Sequence, residues 1–400
     1  MQNEVWFAPG RANLMGEHTD YNEGFVLPFA LAQGVTATAT ARHDGVLVLR
    51  SRQAPGEPEI VPLGSLAPGS VTGWAAYPAG VAWALRAAGY DVPGASVGID
   101  SDLPVGAGVS SSAAVECSVA LALCALSGLS VPRRELALIA KRAENEFVGA
   151  PTGIIDQFAS LLCQEGHAML LDCGTLGTMQ VPFRPSAAGV AALLIDTRVT
   201  HALVSGEYAA RRAECEQAAH LLGVRCLGSV AEADAVDALA DPVLRRRARH
   251  VITDSARARA IAQSLLRVGE DSGRGREGGR GREGGRGREG GEWEVYPFIG
   301  KLLTEGHASL RDDFEVSWPE ADVTVDTAIA AGAYGAKMIG GGFGGSVLAL
   351  LPEEHAAAVH AAVRETFAAR GWTAPEFLRA VPSAAARQVH SGPPACFGPG

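Results

Sequence analysis

The chain has 400 residues, 47% hydrophobic and 20% charged, which suits one large α/β unit or a few domains and excludes a disordered chain or a coiled coil. Lys+Arg total 34 against 44 Asp+Glu, a net charge of −10, so neither nucleic acid nor an anionic membrane is an expected partner. The 7 cysteines include no Cys-x-x-Cys pair and read as reduced core thiols; without a signal peptide or a membrane-length apolar run, a cytoplasmic protein is expected.

The chain opens on a polar motif, Phe7 to Gly24, in which Arg11, Glu17, His18, Asp20 and Glu23 stand among glycines. A solvated loop could carry such groups. Placed beside flexible glycine, Glu17, His18 and Asp20 can also turn acceptors and a donor onto one polyhydroxylated ligand. Val35 to Ala41 and Val46 to Leu49 predict strands around a His43-Asp44-Gly45 turn. A Pro/Gly-rich loop, Ala54 to Ser70, precedes a predicted helix, Thr72 to Ala88, on which Trp74 and Tyr77 read as core. Ala95 to Asp100 predicts another strand.

Leu103 to Ala113 then sets Gly106, Gly108, Ser110, Ser111 and Ser112 at the start of an alanine-rich helix, Ala113 to Leu126. Glycine permits close backbone approach, and the first turn of a helix leaves N–H groups without intrahelical partners. The segment can therefore cradle a phosphate, with an ordinary serine-rich cap as the alternative. It is neither a Gly-x-x-x-x-Gly-Lys-Ser/Thr loop nor Gly-x-Gly-x-x-Gly, since position 111 is serine.

A helix from about Pro132 to Phe147 leads into Gly149 to Phe158, where Asp156 is either a helix N-terminal partner or a placed carboxylate. Ala168 to Asp172 and Ala191 to Asp196 predict strands, and Glu207 to Leu222 a helix whose Tyr208 could share a face with His201. Cys163, His167 and Cys173 lack a fourth metal ligand. Further helices are expected at roughly 255–268, 297–309, 323–333 and 353–369, with a strand at Ser346 to Leu351. His307 reads as a cap or packing residue. Gly340 to Gly345, interrupted only by Phe343, is either a tight turn or a place where backbone closely approaches a ligand.

Residues 274–291 are three copies of Arg-Gly-Arg-Glu-Gly-Gly, without an apolar residue to offset ordering entropy. A disordered insertion over 272–291 is expected, with deletion of 274–291 leaving activity intact. The remaining elements interleave without a regular βαβ period and predict a mixed α+β chain of two packed lobes, 1–185 and 186–400.

Together these motifs resemble the galactokinase family of the GHMP small-molecule kinases: Arg11 to Asn22 its signature, Pro104 to Ala113 its phosphate loop, Lys337 to Ser346 its glycine-rich third motif. The similarity runs over the whole chain outside the repeat. It implies the two-lobed GHMP fold with the site in the cleft between lobes, and ATP-dependent phosphorylation of the anomeric C1 hydroxyl of α-D-galactose to galactose 1-phosphate and ADP. By position it implies Arg11 and Asp156 as the catalytic pair, and Arg11, Glu17, His18, Asp20, Gly153, Asp156 and Tyr208 as the sugar-binding set. Pro104, Gly106, Ala107, Gly108, Val109, Ser110, Ser111, Ser112 and Ala113 would hold ATP, with Ser112 and Glu144 beside Mg²⁺. The protein would work as a monomer. Arabinose, galacturonate or N-acetylgalactosamine kinases, and a non-catalytic galactose/ATP sensor, are the alternatives; the intact serine loop and Asp156 argue against the sensor. Family members carry a longer lead before the first strand, so that strand is expected to be less well covered here.

Overall fold

The computed structural model describes residues 4–104, 106–200, 204–277 and 294–389. Its elements, in chain order, are β1 (Glu4–Asn13), β2 (Phe25–Val26), β3 (Pro28–Arg42), β4 (Val46–Ser51), β5 (Glu59–Pro62), α1 (Ala76–Ala87), β6 (Gly94–Ser101), α2 (Ser111–Leu126), α3 (Arg133–Arg142), α4 (Ile155–Leu162), β7 (His167–Asp172), β8 (Gly177–Pro182) and β9 (Val190–Asp196). There follow α5 (Val204–Leu221), α6 (Pro242–Glu277), α7 (Val295–Asp312), α8 (Pro319–Ala330), β10 (Gly335–Met338), β11 (Ser346–Pro352), α9 (Ala356–Ala369), β12 (Glu376–Arg379) and β13 (Arg387–Gln388). They form three sheets, ordered β13-β1-β3-β6-β4-β5, β10-β11-β9-β12 and β2-β7-β8. The expected mixed α+β architecture is what forms.

The second sheet explains the most apolar strand of the chain. β9 is buried at every position. Val190, Ala192 and Leu194 pack into one core with β1, β3, α2 and α4, while Ala191, Leu193 and Ile195 pack into another with α8, α9 and β11. Two buried faces leave no polar side for alternation, hence the uninterrupted run. One sheet thereby joins the two cores back to back.

α2 carries the serine loop at its start and is buried on nearly all sides, packed on β1 and β3. A helix apolar around its circumference belongs inside a core, and that burial fixes the loop in place.

Several expectations need correction. The loop at 54–70 contains β5, and β8, β10, β12 and β13 were not foreseen, each being short or half-exposed. The helix expected to reach Phe147 ends at Arg142 and continues as a π-turn, Ala143–Val148. α6 begins at Pro242, before 255, because its inward face carries buried Arg247, His250 and Asp254, which conceal the apolar period. It also continues through Glu277, so 272–277 are helical; 278–291 of the expected insertion, like His201, lie outside the described residues. β13 pairs with the outer edge of β1 at Trp6↔Gln388 and Phe7↔Arg387. No helix among the described residues is long and apolar enough to cross a membrane.

Candidate active site

β1 bulges between Pro9 and Arg11, letting the strand pass the α2 loop at backbone contact: a Cβ on Gly10 would lie 2.6 Å from the Val109 carbonyl oxygen. Arg11 profits from that approach. Its backbone N–H donates to Val109 O at 3.1 Å, its Nη1 to Gly108 O, and its Nε to Asp156 Oδ1 at 2.9 Å. Ser346 Oγ binds the Ala107 carbonyl oxygen at 2.7 Å. Three successive loop carbonyls, 107 to 109, are thus engaged by protein. Gly106, Gly108 and Ser110 take left-handed backbone (φ 80°, 70° and 62°), and the buried Ser110 hydroxyl has no partner among the described residues. The loop borders a cavity of about 730 Å³ shared with the first motif, Asp156, Tyr208 and Gly340–Gly341.

On one wall stand the first-motif side chains. Glu17 is buried; its Oε2 accepts from Lys337 Nζ at 2.6 Å and Asn13 Nδ2 at 2.9 Å, and its Oε1 from the Gly340 N–H at 3.2 Å. His18 Nε2 lies 3.1 Å from the Gly341 carbonyl oxygen, which can only accept, so Nε2 carries the proton and Nδ1 accepts from the Tyr21 hydroxyl at 3.0 Å. Burial, reinforced by His250, lowers the His18 pKa to about 3, so the ring is neutral. It packs on Tyr208 and Phe314, at centroid distances of 5.2 and 4.8 Å. Asp20 presses on Gly153, where a Cβ would fall 1.5 Å from Asp20 Oδ2; only glycine admits the carboxylate. Burial, then the charge of Asp156, pushes the Asp20 carboxyl above the usual range. α6 braces this motif from below: Asp254 Oδ2 accepts the N–H groups of Gly16 and Glu17 at 3.0 and 3.2 Å, and His250 Nε2 donates to the Glu17 carbonyl oxygen at 3.0 Å.

The other wall is acidic. Glu144, on the π-turn, accepts from Ser112 Oγ and Thr152 Oγ1, both at 2.8 Å. Gln157 Nε2 bridges Glu144 Oε2 at 2.8 Å and the wholly buried Glu116 at 3.1 Å. Burial, then the charge of Asp156, raises the Glu144 carboxyl; burial, then Glu144, pushes Glu116 well above the usual range. Glu116 Oε1 and Gln157 Oε1 have no partner among the described residues.

Of the residues singled out in the sequence, Arg11, Glu17, His18, Asp20, Gly153, Asp156, Tyr208, Gly106, Gly108, Val109, Ser110, Ser111 and Ser112 all line the one cavity, and Glu144 stands behind Ser112. Pro104, Ala107 and Ala113 do not: Ala113 is buried on the inner face of α2, while Pro104 and Ala107 border a separate cavity of about 340 Å³. Gly342 and Gly344 also stand back, each meeting backbone, of Val316 and Val199 respectively. Tyr77, expected in the core, lines the cavity. His307 faces Asp322 at 3.1 Å and accepts the Met338 N–H, away from the cavity lining. Asn13, Glu116, Gln157, His250, Asp254 and Lys337 went unnoticed as supports. The one available signal was Lys337, a lysine in an apolar strand of a chain with very few lysines.

Family models match this chain as the galactokinase galactose-binding signature over residues 2–41, the GHMP kinase N-terminal domain over 76–164 and the GHMP kinase C-terminal domain over 298–369. A galactokinase of Streptomyces coelicolor is 47% identical over 389 residues, covering 96% of this chain and 94% of that protein. A human galactokinase is 40% identical over 368 residues, covering 88% and 84%. The crystal structure of Lactococcus lactis galactokinase complexed with galactose superposes with a TM-score of 0.86 at 30% identity, covering 97% of this chain and 95% of that one.

Proposed function

The chain belongs to the galactokinase family of the GHMP kinases, and from that premise we infer that it transfers the γ-phosphoryl group of ATP to the C1 hydroxyl of α-D-galactose, giving α-D-galactose 1-phosphate and ADP. The observation that carries the reading is the Arg11–Asp156 ion pair at 2.9 Å, in a cavity bordered on one side by the galactose signature and on the other by the serine loop.

A sugar hydroxyl is a poor nucleophile at neutral pH. Asp156, in the first turn of α4, accepts its proton as the new O–P bond forms and the bond from the γ-phosphorus to the bridging β–γ oxygen breaks, releasing ADP. Arg11 holds Asp156 in place through Nε. Glu17, His18, Asp20, the Gly153 backbone and Tyr208 form the sugar wall. Gly106 to Ser112 would receive the triphosphate on glycine-shaped backbone, the Ser110 hydroxyl and the start of α2.

The acidic wall fits Mg²⁺. Ser112 and Glu144 offer hard oxygen donors 2.8 Å apart, and among the described residues neither a lysine nor an arginine hydrogen-bonds Glu144. When bound, Mg²⁺ neutralises charge on the transferring phosphates. Operation as a monomer belongs to the same proposal.

The test is coupled ADP release with ATP and Mg²⁺ over a panel of free sugars. Galactose-dependent ADP release is expected, with arabinose, galacturonate and N-acetylgalactosamine slower. Release fastest with one of those sugars would reassign the substrate, and none with any sugar would overturn the kinase reading.

A further inference from the structure

Glu17 is gripped from two sheets at once. Asn13, which binds its Oε2, ends β1; Lys337, which binds the same oxygen at 2.6 Å, lies on β10, and the Gly340 N–H that binds Oε1 follows three residues later. Lys337 is wholly buried, does not line the cavity, and has among the described residues one other hydrogen bond, to the Asn13 carbonyl oxygen at 3.4 Å. An ammonium so enclosed has little use as a surface charge or a phosphate ligand. Its chemistry is spent on one carboxylate that does line the cavity.

We propose that Lys337 is a positioning residue for the sugar: acting through Glu17, it fixes the orientation of that carboxylate and, through the short link to Gly340, the seat of the glycine-rich loop against it. This rests on the placement of Glu17 in the sugar wall. Burial raises the Glu17 carboxyl, the Lys337 charge opposes that rise, and Asp254, itself paired with Arg257 at 3.3 Å, adds to it; neutral His250 meets only the Glu17 backbone. Removing Lys337 alone therefore leaves an acid without its counter-ion in a buried place beside a second carboxylate. A pair serving the fold alone would alter stability and affect both substrates alike. A positioning pair acts on one substrate.

The experiment is a double-mutant cycle on the full chain with Lys337→Met, Glu17→Gln and both together, reading KM for galactose and for ATP separately. Lys337→Met is expected to raise the galactose KM about tenfold, the order lost with one hydrogen bond to a charged group, with the ATP KM changed less than about twofold. Adding it to Glu17→Gln should raise the galactose KM no further. Lys337→Arg, which keeps the charge, should recover part of the loss. An unchanged galactose KM in Lys337→Met alongside a raised one in Glu17→Gln overturns the inference while leaving the sugar wall intact; so do multiplicative penalties or equal rises for both substrates. An unchanged galactose KM in Glu17→Gln overturns the sugar-wall placement of Glu17, and the inference with it. Should Lys337→Met not fold, the paired variant against Glu17→Gln alone still decides, since a further rise contradicts action through Glu17.

Discussion

The two walls of the cleft are built on opposite principles. On the sugar wall the first-motif groups are held by protein partners, both Glu17 oxygens, both His18 ring nitrogens and the backbone N–H groups at Gly16 and Glu17, while Asn13 Oδ1 has none among the described residues. On the phosphate wall Ser110 Oγ, Glu116 Oε1 and Gln157 Oε1 have none among the described residues, and Glu144 and Glu116 share a single amide donor. Neutral hydroxyls need directed acceptors held in advance, because a loosely held acceptor loses the gain to ordering entropy. A triphosphate with its cation brings charge of its own, so that wall needs donors and oxygens in the right places more than it needs internal neutrality.

Asp156 sits where the walls meet, and its removal should have the largest effect. Asp156→Ala is expected to lower kcat by about 10²–10⁴-fold with galactose binding weakened less, read by steady-state kinetics and by isothermal titration with the sugar. A variant keeping more than about a tenth of wild-type kcat would remove Asp156 from the junction. Glu144→Gln challenges the phosphate wall. Its Mg²⁺ half-saturation should rise by about 10–100-fold with galactose affinity in the absence of nucleotide unaltered; a matching loss of galactose affinity would show that the walls are not separable.

His18 tests how far the sugar wall is set in advance. Its folded-state pKa of about 3, against an unfolded value near 6.5, means that between those values the unfolded chain binds the extra proton. Native stability therefore falls as pH drops below about 6.5, by about 2 kcal/mol from this residue at pH 5. In His18→Gln the denaturant midpoint should decline less steeply from pH 7 to pH 5, and an unchanged slope would place a charged or exposed imidazole at 18. Gly153→Ala is a smaller perturbation. The added Cβ must displace the Asp20 carboxylate, so the galactose KM is expected to rise about tenfold with the ATP KM near wild type. Least of all should follow from deleting 278–291: Asp254, which braces the first motif, lies about 35 Å along α6 from Glu277, and kcat/KM should change less than tenfold.

The motifs themselves were legible in the sequence because their chemistry is local. Glycines at 106, 108 and 340, serines at the start of α2 and the acid-rich run from Glu17 to Asp20 declare themselves without neighbours. β9 was legible too, being apolar on both faces. What stayed hidden sits behind the walls. Arg247, His250 and Asp254 precede the helix expected at 255–268, drew no notice in the sequence, and are buried on α6. Tyr77 looked like core and lines the cavity, whereas Pro104, Ala107 and Ala113 lie outside it, since which side of a loop or helix faces the cleft depends on what packs against the other side.

Residue type and short-range order therefore determined the family, the α+β class and the cavity-lining motifs, and resemblance proposed Arg11 and Asp156 as the catalytic pair. The tertiary structure alone decided that Lys337 meets Glu17, that Gln157 joins two acids and that α6 braces the first motif. Those partners lie up to hundreds of positions apart, and a buried charge or amide is recognisable only by the group that balances it, which no local pattern along the chain contains.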